Sequence, residues 1–374
     1  MTHPRPPLAV AVEIDGHGAH PAAWRASSEE PSAVFDPAAL RRTVLVAENF
    51  GFTLATFDDA LTQTQASDYA GSLAGRLDGV VRAAFAAPLT SRTGLAPAVA
   101  PRGVEPFHLA AQLASLDIAT LGRAAWVVTD PTQPELADAL DRVVPESPAE
   151  REREVSDVVA AVRRLWDSWE DDAVIKDVSS GRYVDRDRIH NVEVEAESFS
   201  IKGALITPRP PQGLLPVFAS DRVLAPEVAD VTLVGGESVA DIAARATSAR
   251  TRGATRVFAE IEVILDSDVL STDRLAELDA VIGWNGTDAL RFVGSASGLL
   301  ALLEDVGRHV DGVRLHPAVL TQDLPLLGTH VLPRLVTDRV AAAPLLGSTL
   351  RASLGLARPA NVFARSTASD RSAA

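Results

Sequence analysis

The stretch EPFHLAAQLASLDIATLGRAAWVVTDP, residues 105–131, contains a helix pattern, a turn and a strand pattern in succession. Its first part is an apolar, alanine-rich run that opens with proline, a residue suited to the first turn of a helix. Gly122 marks a turn, and the run AAWVV has the length and composition of a buried strand. The stretch therefore predicts one helix and the strand that follows it in an alternating α/β fold.

Strand-like runs recur along the chain, with helical patterns between them. The helix at 36–51 is well defined, since Asp36 can cap it, Pro37 suits its first turn and Gly51 ends it. The eight strand candidates are 8–14, 52–59, 94–101, 124–130, 215–220, 230–236, 254–265 and 311–317. Eight strands alternating with helices favour a closed parallel barrel over an open doubly wound sheet. We predict an α/β protein with a (β/α)8 TIM barrel.

Two further segments refine this organisation. Residues 149–169 repeat apolar positions at helical spacing and predict a long amphipathic helix. The polar residues 170–213, punctuated by glycine and proline, predict a segment inserted on the barrel rim. We expect one domain over 1–365, with a helical extension at its C-terminal end and a disordered tail over 366–374.

The composition limits the possible partners. The chain has 374 residues, of which 47% are hydrophobic, enough apolar material for a sizeable core. Its 35 basic and 50 acidic residues give a formal charge of -15, which disfavours nucleic acid. The lack of cysteine excludes disulfides and thiolate metal sites, and no run of about 18 uncharged apolar residues is present to span a membrane. We expect a cytoplasmic protein that binds neither nucleic acid nor membrane.

The histidines give two candidates for proton transfer. His316 lies just past the last strand, and His20 lies in DGHGAHPAAWR after the first. Either could act as a general acid or base, although a lone histidine more often has a structural role. The eight histidines show no HxH, HExxH or HxxxH spacing, so we predict no metal site.

The acidic residues at strand ends have open interpretations. Asp58 and Asp59 could bind a ligand at the barrel mouth or only cap a helix. Glu260 and Glu262 alternate along one strand and so share one face, where an ion pair with arginine is the simplest interpretation.

The opening stretch resembles a known signature. PFHLAAQLASLDIATLGRAAWVVT is similar to that of bacterial-luciferase-like flavin monooxygenases, in the branch that contains nitrilotriacetate and dibenzothiophene-sulfone monooxygenases. In that branch a Pro-Phe, an alanine-rich helix, a Leu-Asp and a Gly-Arg precede the fourth strand. Other segments agree in the same order: HPAAWR (20–25), TGLAPAVAP (93–101), RRLWDSWEDDA (163–173), SFSIKGALITPRPPQG (198–213) and STLRASLGLARPAN (348–361).

The resemblance implies a homodimeric barrel that takes reduced FMN from a flavin reductase. With oxygen, such an enzyme inserts one oxygen atom into a small organic substrate, while the protein excludes water and orients the flavin. By position, Asp59 and Thr129 would lie near the flavin ring and Ala98 against its face.

The phosphate end of the flavin site departs from the family pattern. Relatives carry Arg-Tyr where this chain has Arg151 and a glutamate, and a Gln-Ala-Gly followed by serine and glycine where it has FASDRVLAPEVAD. Asp221 and a proline thus stand where phosphate donors are expected, and an aspartate opposes a dianion. Ser220, Arg151 and Arg222 are the remaining candidate ligands, with Arg245 as a further substitute.

Three functions follow from the resemblance. The first is an FMN-dependent monooxygenase with an altered phosphate clamp. The second is a cofactor-poor homologue that acts as a non-catalytic partner subunit or ligand-binding barrel. A third, less favoured function uses a deazaflavin in place of FMN.

Overall fold

The computed structural model describes residues 6–59, 75–102, 104–130, 147–285 and 287–364. The tail predicted to be disordered, 366–374, lies outside these ranges, as does the last residue of the opening stretch, 131.

Thirteen strands are present in the described residues. They are β1 (Ala9–Glu13), β2 (Leu54–Phe57), β3 (Gly94–Val99), β4 (Trp126–Val128), β5 (Val174–Asp177), β6 (Arg182–Val184), β7 (Val192–Glu195), β8 (Ser200–Gly203), β9 (Val217–Ser220), β10 (Val231–Val234), β11 (Val257–Leu265), β12 (Leu290–Gly294) and β13 (Gly312–Pro317). The main sheet has the order β10-β9-β4-β3-β2-β1-β13-β11-β12, and a further pairing of β10 with β11 closes it.

Ten α-helices of the described chain accompany the strands. They are α1 (Pro37–Phe50), α2 (Gly79–Ala86), α3 (Pro106–Ala119), α4 (Pro148–Asp167), α5 (Val239–Thr251), α6 (Ser271–Asp279), α7 (Ala296–Val306), α8 (Leu320–Leu326), α9 (Leu332–Thr337) and α10 (Leu350–Ser353). As expected, the Asp36 side chain caps α1 and Gly51 ends it with a positive φ of 84°. Ser147 and Glu150 form a capping box at the start of α4.

The prediction of a (β/α)8 barrel is confirmed. All eight predicted strand runs contain strands of the closed parallel barrel, namely β1 to β4, β9 to β11 and β13. The sequence prediction missed β12, which pairs with β11 over Ile261–Leu265, beyond the part of β11 that pairs with β10. β11 has nine residues, so β10 can pair with its first part and β12 with its last part along the same edge.

The barrel has a small-residue interior and a larger outer layer. Ala11, Ala96 and Ala98 belong to an apolar cluster in the barrel interior, together with Phe218 and Phe258, whose rings meet edge to face. Leu350 of helix α10 and the leucines that follow the helix, Leu354 and Leu356, belong to the same cluster near the amino ends of the strands. The interior is therefore packed at the bottom, and its polar groups lie towards the carboxyl ends of the strands.

Residues 170–213 contain two antiparallel hairpins, β5–β6 and β7–β8, next to the long helix α4. Arg209 anchors this segment through a buried ion pair with Asp167, at 2.7 Å, and a second pair with Asp171. Within the described ranges, no helix is both long and apolar enough to cross a membrane.

Candidate functional site

The barrel interior holds a buried charged cluster at the carboxyl ends of β1, β11 and β13. Arg314 lies at the centre of this inner cluster, which we define as Glu13, Glu260, Arg314 and His316. The Arg314 guanidinium donates to Glu13 and to Glu260 (3.3 Å), and its Nε donates to Thr56 Oγ1 at 3.1 Å. The expected interior ion pair of Glu260 with an arginine is therefore present.

His316 is held between the same two carboxylates. Its Nε2 contacts Glu260, and its Nδ1 lies 3.3 Å from Glu13. Residues 314 and 316 alternate along β13 as 258 and 260 do along β11, so that both pairs face the barrel interior. The period of two along parallel strands thus brings together two carboxylates and two cations.

The cluster fixes the charge state of its members. Burial disfavours the imidazolium, but Glu13 and Glu260 outweigh this and raise the pKa of His316 to about 9. Burial likewise opposes ionisation of Glu13, yet His316 and Arg314 hold its pKa well below the ordinary value. Burial is outweighed at Glu260 too, whose pKa is lowered by Arg314 and His316. At neutral pH, His316 is therefore a protonated acid paired with two carboxylates.

A second charged group lies beside the first, around the loop that follows β1. Arg82 on helix α2 donates to Asp15 and to the carbonyl oxygen of Asp58. Arg76 contacts Asp15 at 2.7 Å and Asp58 at 3.0 Å. Burial raises the pKa of Asp15, although both arginines act in the opposite direction.

His20 lies in the same loop and is fully buried. Its Nδ1 accepts a hydrogen bond from the Ala22 amide at 3.0 Å, and its Nε2 lies 3.2 Å from Asp279. Burial lowers the pKa of His20 despite Asp279, so the neutral ring with hydrogen on Nε2 satisfies both contacts. The Trp284 ring, with its centroid 5.0 Å away, packs against it. His20 thus ties the loop after β1 to α6, while its catalytic role remains a prediction.

The other predicted cofactor contacts lie along the wall formed by β2, β3, β4 and β9. Ala98 is fully buried in the interior cluster. Thr129 directly follows β4, and Ser220 is the last residue of β9. Both residues are half-buried. Asp59 accepts a hydrogen bond from the Gly79 amide at 3.3 Å, and burial raises its pKa. Asp59 therefore contacts the start of helix α2.

The three arginines proposed for the phosphate end contact carboxylates instead of an open site. Arg222 is 67% exposed and lies 2.7 Å from Asp288. Arg245 bridges Asp288 and Asp221. Arg151 lies 3.8 Å from Asp130, which also accepts from Arg102 at 2.7 Å. These rim pairs lie in the segments that follow β4, β9 and β10 and precede β12, whereas the inner cluster lies on β1, β11 and β13.

Sequence reasoning missed three residues that organise the site: Arg76, Arg82 and Arg314. Two of them carried a usable signal. Arg314 interrupts an apolar barrel strand two residues before His316, and Arg82 is the only charge in the apolar helix GVVRAAFA. A single charge within an apolar element usually has a buried partner.

A parallel barrel with a charged cluster at its carboxyl end defines a protein of the TIM-barrel class. Within that class, the sequence profile of the luciferase-like monooxygenase family matches residues 17–318. The chain belongs to the luciferase-like monooxygenase family, and the predicted resemblance is confirmed.

Curated relatives include the predicted branch. The chain is 29% identical to N-acetyl-S-(2-succino)cysteine monooxygenase of Bacillus subtilis over 57% of its own length and 48% of the relative. It is 31% identical to nitrilotriacetate monooxygenase component A of Aminobacter aminovorans over 60% of the chain and 53% of the relative. A match to dibenzothiophene-sulfone monooxygenase of Rhodococcus erythropolis, at 28% identity, covers 52% of the chain and 46% of the relative. The chain thus spans about half the length of these curated relatives.

Solved structures show the same fold. Long-chain alkane monooxygenase LadA superposes with a TM-score of 0.83 at 18% identity, covering 94% of this chain and 96% of the other. The EDTA monooxygenase EmoA from Chelativorans sp. BNC1 gives 0.80 at 16%, covering 94% and 99%. At such low identity these likenesses establish the barrel and leave the chemistry to the site.

Proposed function

We propose that this protein is a flavin-dependent monooxygenase that oxidises a small organic substrate at the carboxyl end of its barrel. The observation that carries the proposal is the placement of a protonated His316, held by Glu13 and Glu260, inside the barrel mouth. Membership of a monooxygenase family supports the reaction type. FMN is the proposed cofactor because the family resemblance implies it.

The family resemblance would place the flavin ring along the wall that contains Ala98. Ala98 is fully buried in the interior apolar cluster, so the wall behind the ring would be apolar. The half-buried Thr129 and Ser220 on the neighbouring strands carry hydroxyl groups for the polar edge of a ring. Reduced flavin in such a site would supply the electrons that activate oxygen.

The phosphate end fits less well. Asp221 and Asp130 lie among the candidate donors, and a phosphate dianion must compete with them for Arg245 and Arg151. Of these arginines, Arg222 would lose the least free energy by turning to a phosphate. Its side chain is mainly exposed, and its contact with Asp288 is screened by solvent.

The protein's own residues would hold charge and protons during turnover. His316 is protonated at neutral pH and can donate a proton to an anionic oxygen at the barrel mouth, after which Glu13 and Glu260 favour its reprotonation. Arg314 neutralises the remaining carboxylate charge. The histidine therefore fits the role of an acid better than that of a base.

Two partners complete the proposal. Reduced flavin would come from a separate flavin reductase, which is supported by a relative named nitrilotriacetate monooxygenase component A. A homodimer would cover the apolar side chains that α2 exposes, Val81 at 60% and Phe85 at 41%. Sedimentation of wild type and Val81→Glu would test this, since a dimer through α2 should dissociate in the variant.

A flavin titration tests the cofactor assignment. The protein is titrated anaerobically with reduced FMN, and separately with oxidised FMN, by calorimetry and flavin fluorescence. Saturable binding supports the proposal, and no binding up to millimolar FMN contradicts it and favours the cofactor-poor homologue. A deazaflavin that binds more tightly than FMN would instead favour the deazaflavin function.

Riboflavin provides the matched control for Arg222, because it has the same ring without the phosphate. Arg222→Ala should weaken FMN and leave riboflavin affinity unchanged, since only the phosphate contacts this guanidinium in the proposal. Equal loss for both ligands, or for neither, would show that Arg222 does not bind the phosphate.

A further inference from the structure

A cavity of about 300 Å³ opens beside the inner cluster, between the loop after β1 and helix α2. We call it the β1-loop cavity. Its lining combines two guanidinium groups, from Arg76 and Arg82, with one carboxylate, that of Asp15. Asp15 is the only acidic side chain among the described residues that line it, and Asp58, which lies 3.0 Å from Arg76, is a second carboxylate beside these guanidiniums.

Two donors on its walls have no acceptor within the described part of the chain. These are Arg82 Nε and Trp24 Nε1, both buried. Arg82 is only 5% exposed as a residue. A buried donor without an acceptor is costly, and such a group in a cavity calls for a ligand atom that accepts.

The remaining walls combine His17 and His20 with apolar side chains. Pro21, Ala23, Val34 and the Trp24 side chain line the same space. An inorganic anion would leave these surfaces uncovered, whereas an organic molecule with a charged end would cover them. A guanidinium pairs well with a planar carboxylate.

We infer that the β1-loop cavity binds the carboxylate group of a small organic substrate with an apolar or aromatic body. The inference rests on the proposed function only in taking this ligand to be the substrate. Asp15 then acts as an internal competitor, because its carboxylate contacts both arginines that the substrate would use. The cavity lies next to the inner cluster, since Asp15 comes two residues after Glu13, the last residue of β1.

Benzoate is the probe, with benzamide as its neutral isostere. Calorimetric titration of wild type and Asp15→Asn should show saturable benzoate binding, about tenfold tighter in the variant because the carboxylate that contacts both guanidiniums is removed, while Arg76 keeps its contact with Asp58. Benzamide should bind at least about tenfold more weakly than benzoate. A purely structural role of Asp15 would not produce this gain.

Variants at the cations complete the test. Arg76→Gln in the Asp15→Asn background should lose about tenfold in benzoate affinity, while Arg42→Gln, which removes an exposed ion pair with Glu29, should lose none. Trp24→Phe keeps the ring, removes the indole donor and should weaken benzoate several-fold. Circular dichroism and the Tm of each variant confirm that it is folded.

Three results overturn the inference: no benzoate saturation with folded Asp15→Asn, equal affinity for benzamide, or equal affinity for inorganic phosphate. FMN binding is measured on the same samples. Flavin binding without benzoate binding overturns this inference alone, whereas benzoate binding without flavin binding overturns the proposed function and leaves a carboxylate-binding barrel.

Discussion

At the carboxyl ends of β1, β11 and β13, charged side chains point inward and are mostly buried, whereas the charged side chains in the segments after β4, β9 and β10 pair along the rim. Arg314 has a side chain only 10% exposed, whereas that of Arg222 is 67% exposed. Both arginines contact carboxylates, so the number of ion pairs does not distinguish the two regions.

What differs is the cost of removing one partner. In the inner cluster a lost cation leaves carboxylates in a poorly solvated interior, while on the rim water replaces the missing partner. A buried arrangement of this kind resists reorganisation and keeps its charges in place. This difference supports the proposed placement of proton transfer at the inner cluster and of the flavin phosphate on the rim.

The largest effect is expected from Arg314→Met. This change leaves Glu13 and Glu260 facing each other with only His316 between them, and should destabilise the fold by about 3–5 kcal/mol. Urea unfolding measures the loss, and Arg314→Lys, which restores a cation without the fork geometry, should recover part of it. A loss below about 1 kcal/mol would show that this buried cation contributes no more to stability than a cation of an exposed rim pair.

The next effect is pH-dependent and concerns His316. Because folding raises the pKa of His316 from 6.5 to about 9, its contribution to stability is complete below 6.5 and is lost as the pH rises through about 9. The contribution should be on the order of 3 kcal/mol, at about 1.4 kcal/mol per pKa unit. Unfolding free energies of wild type and His316→Gln between pH 6 and 10 should converge at the alkaline end. If the two curves stay parallel over this pH range, folding does not raise the pKa of His316.

A smaller effect is expected at His20. His20→Ala removes the acceptor for the Ala22 amide and should cost about 1–3 kcal/mol. The control is His17→Ala, which removes only a contact with the Pro31 carbonyl from a half-buried position and should cost less. Thermal unfolding of both variants measures the difference. Equal Tm values for the two would contradict the anchoring role of His20.

The fold was predictable because it depends on local patterns. The eight apolar runs and their caps are visible one by one, and their number and alternation limit the topology to a barrel. The missed β12 has the sequence LRFVG, in which an arginine interrupts a short run. Its place depends on the length of β11, a tertiary feature that no local pattern contains.

The site was predictable only in part, because its partners are far apart in sequence. The alternation of Glu260 and Glu262 did indicate an ion pair with arginine, and the structure supplies Arg314 for Glu260 and Arg291, at 2.7 Å, for Glu262. The pairing of Glu13 with Arg314 spans 301 residues, and only barrel closure brings the two together. The rim arginines were visible as cations, but the carboxylates that pair with them were not.

The smallest effect on stability is expected for Arg222→Ala on the rim. Its partner Asp288 keeps a second cation, Arg245, and the pair is solvent-exposed, so the free energy of unfolding should change by less than about 1 kcal/mol. Urea unfolding at low and high salt checks this, since a screened pair should give the same small value at both. The small effect is useful because any loss of FMN affinity in this variant then reports on phosphate contact alone. A loss of several kcal/mol would mean that the rim is as rigid as the inner cluster, and its arginines would then be poor candidates for binding an incoming phosphate.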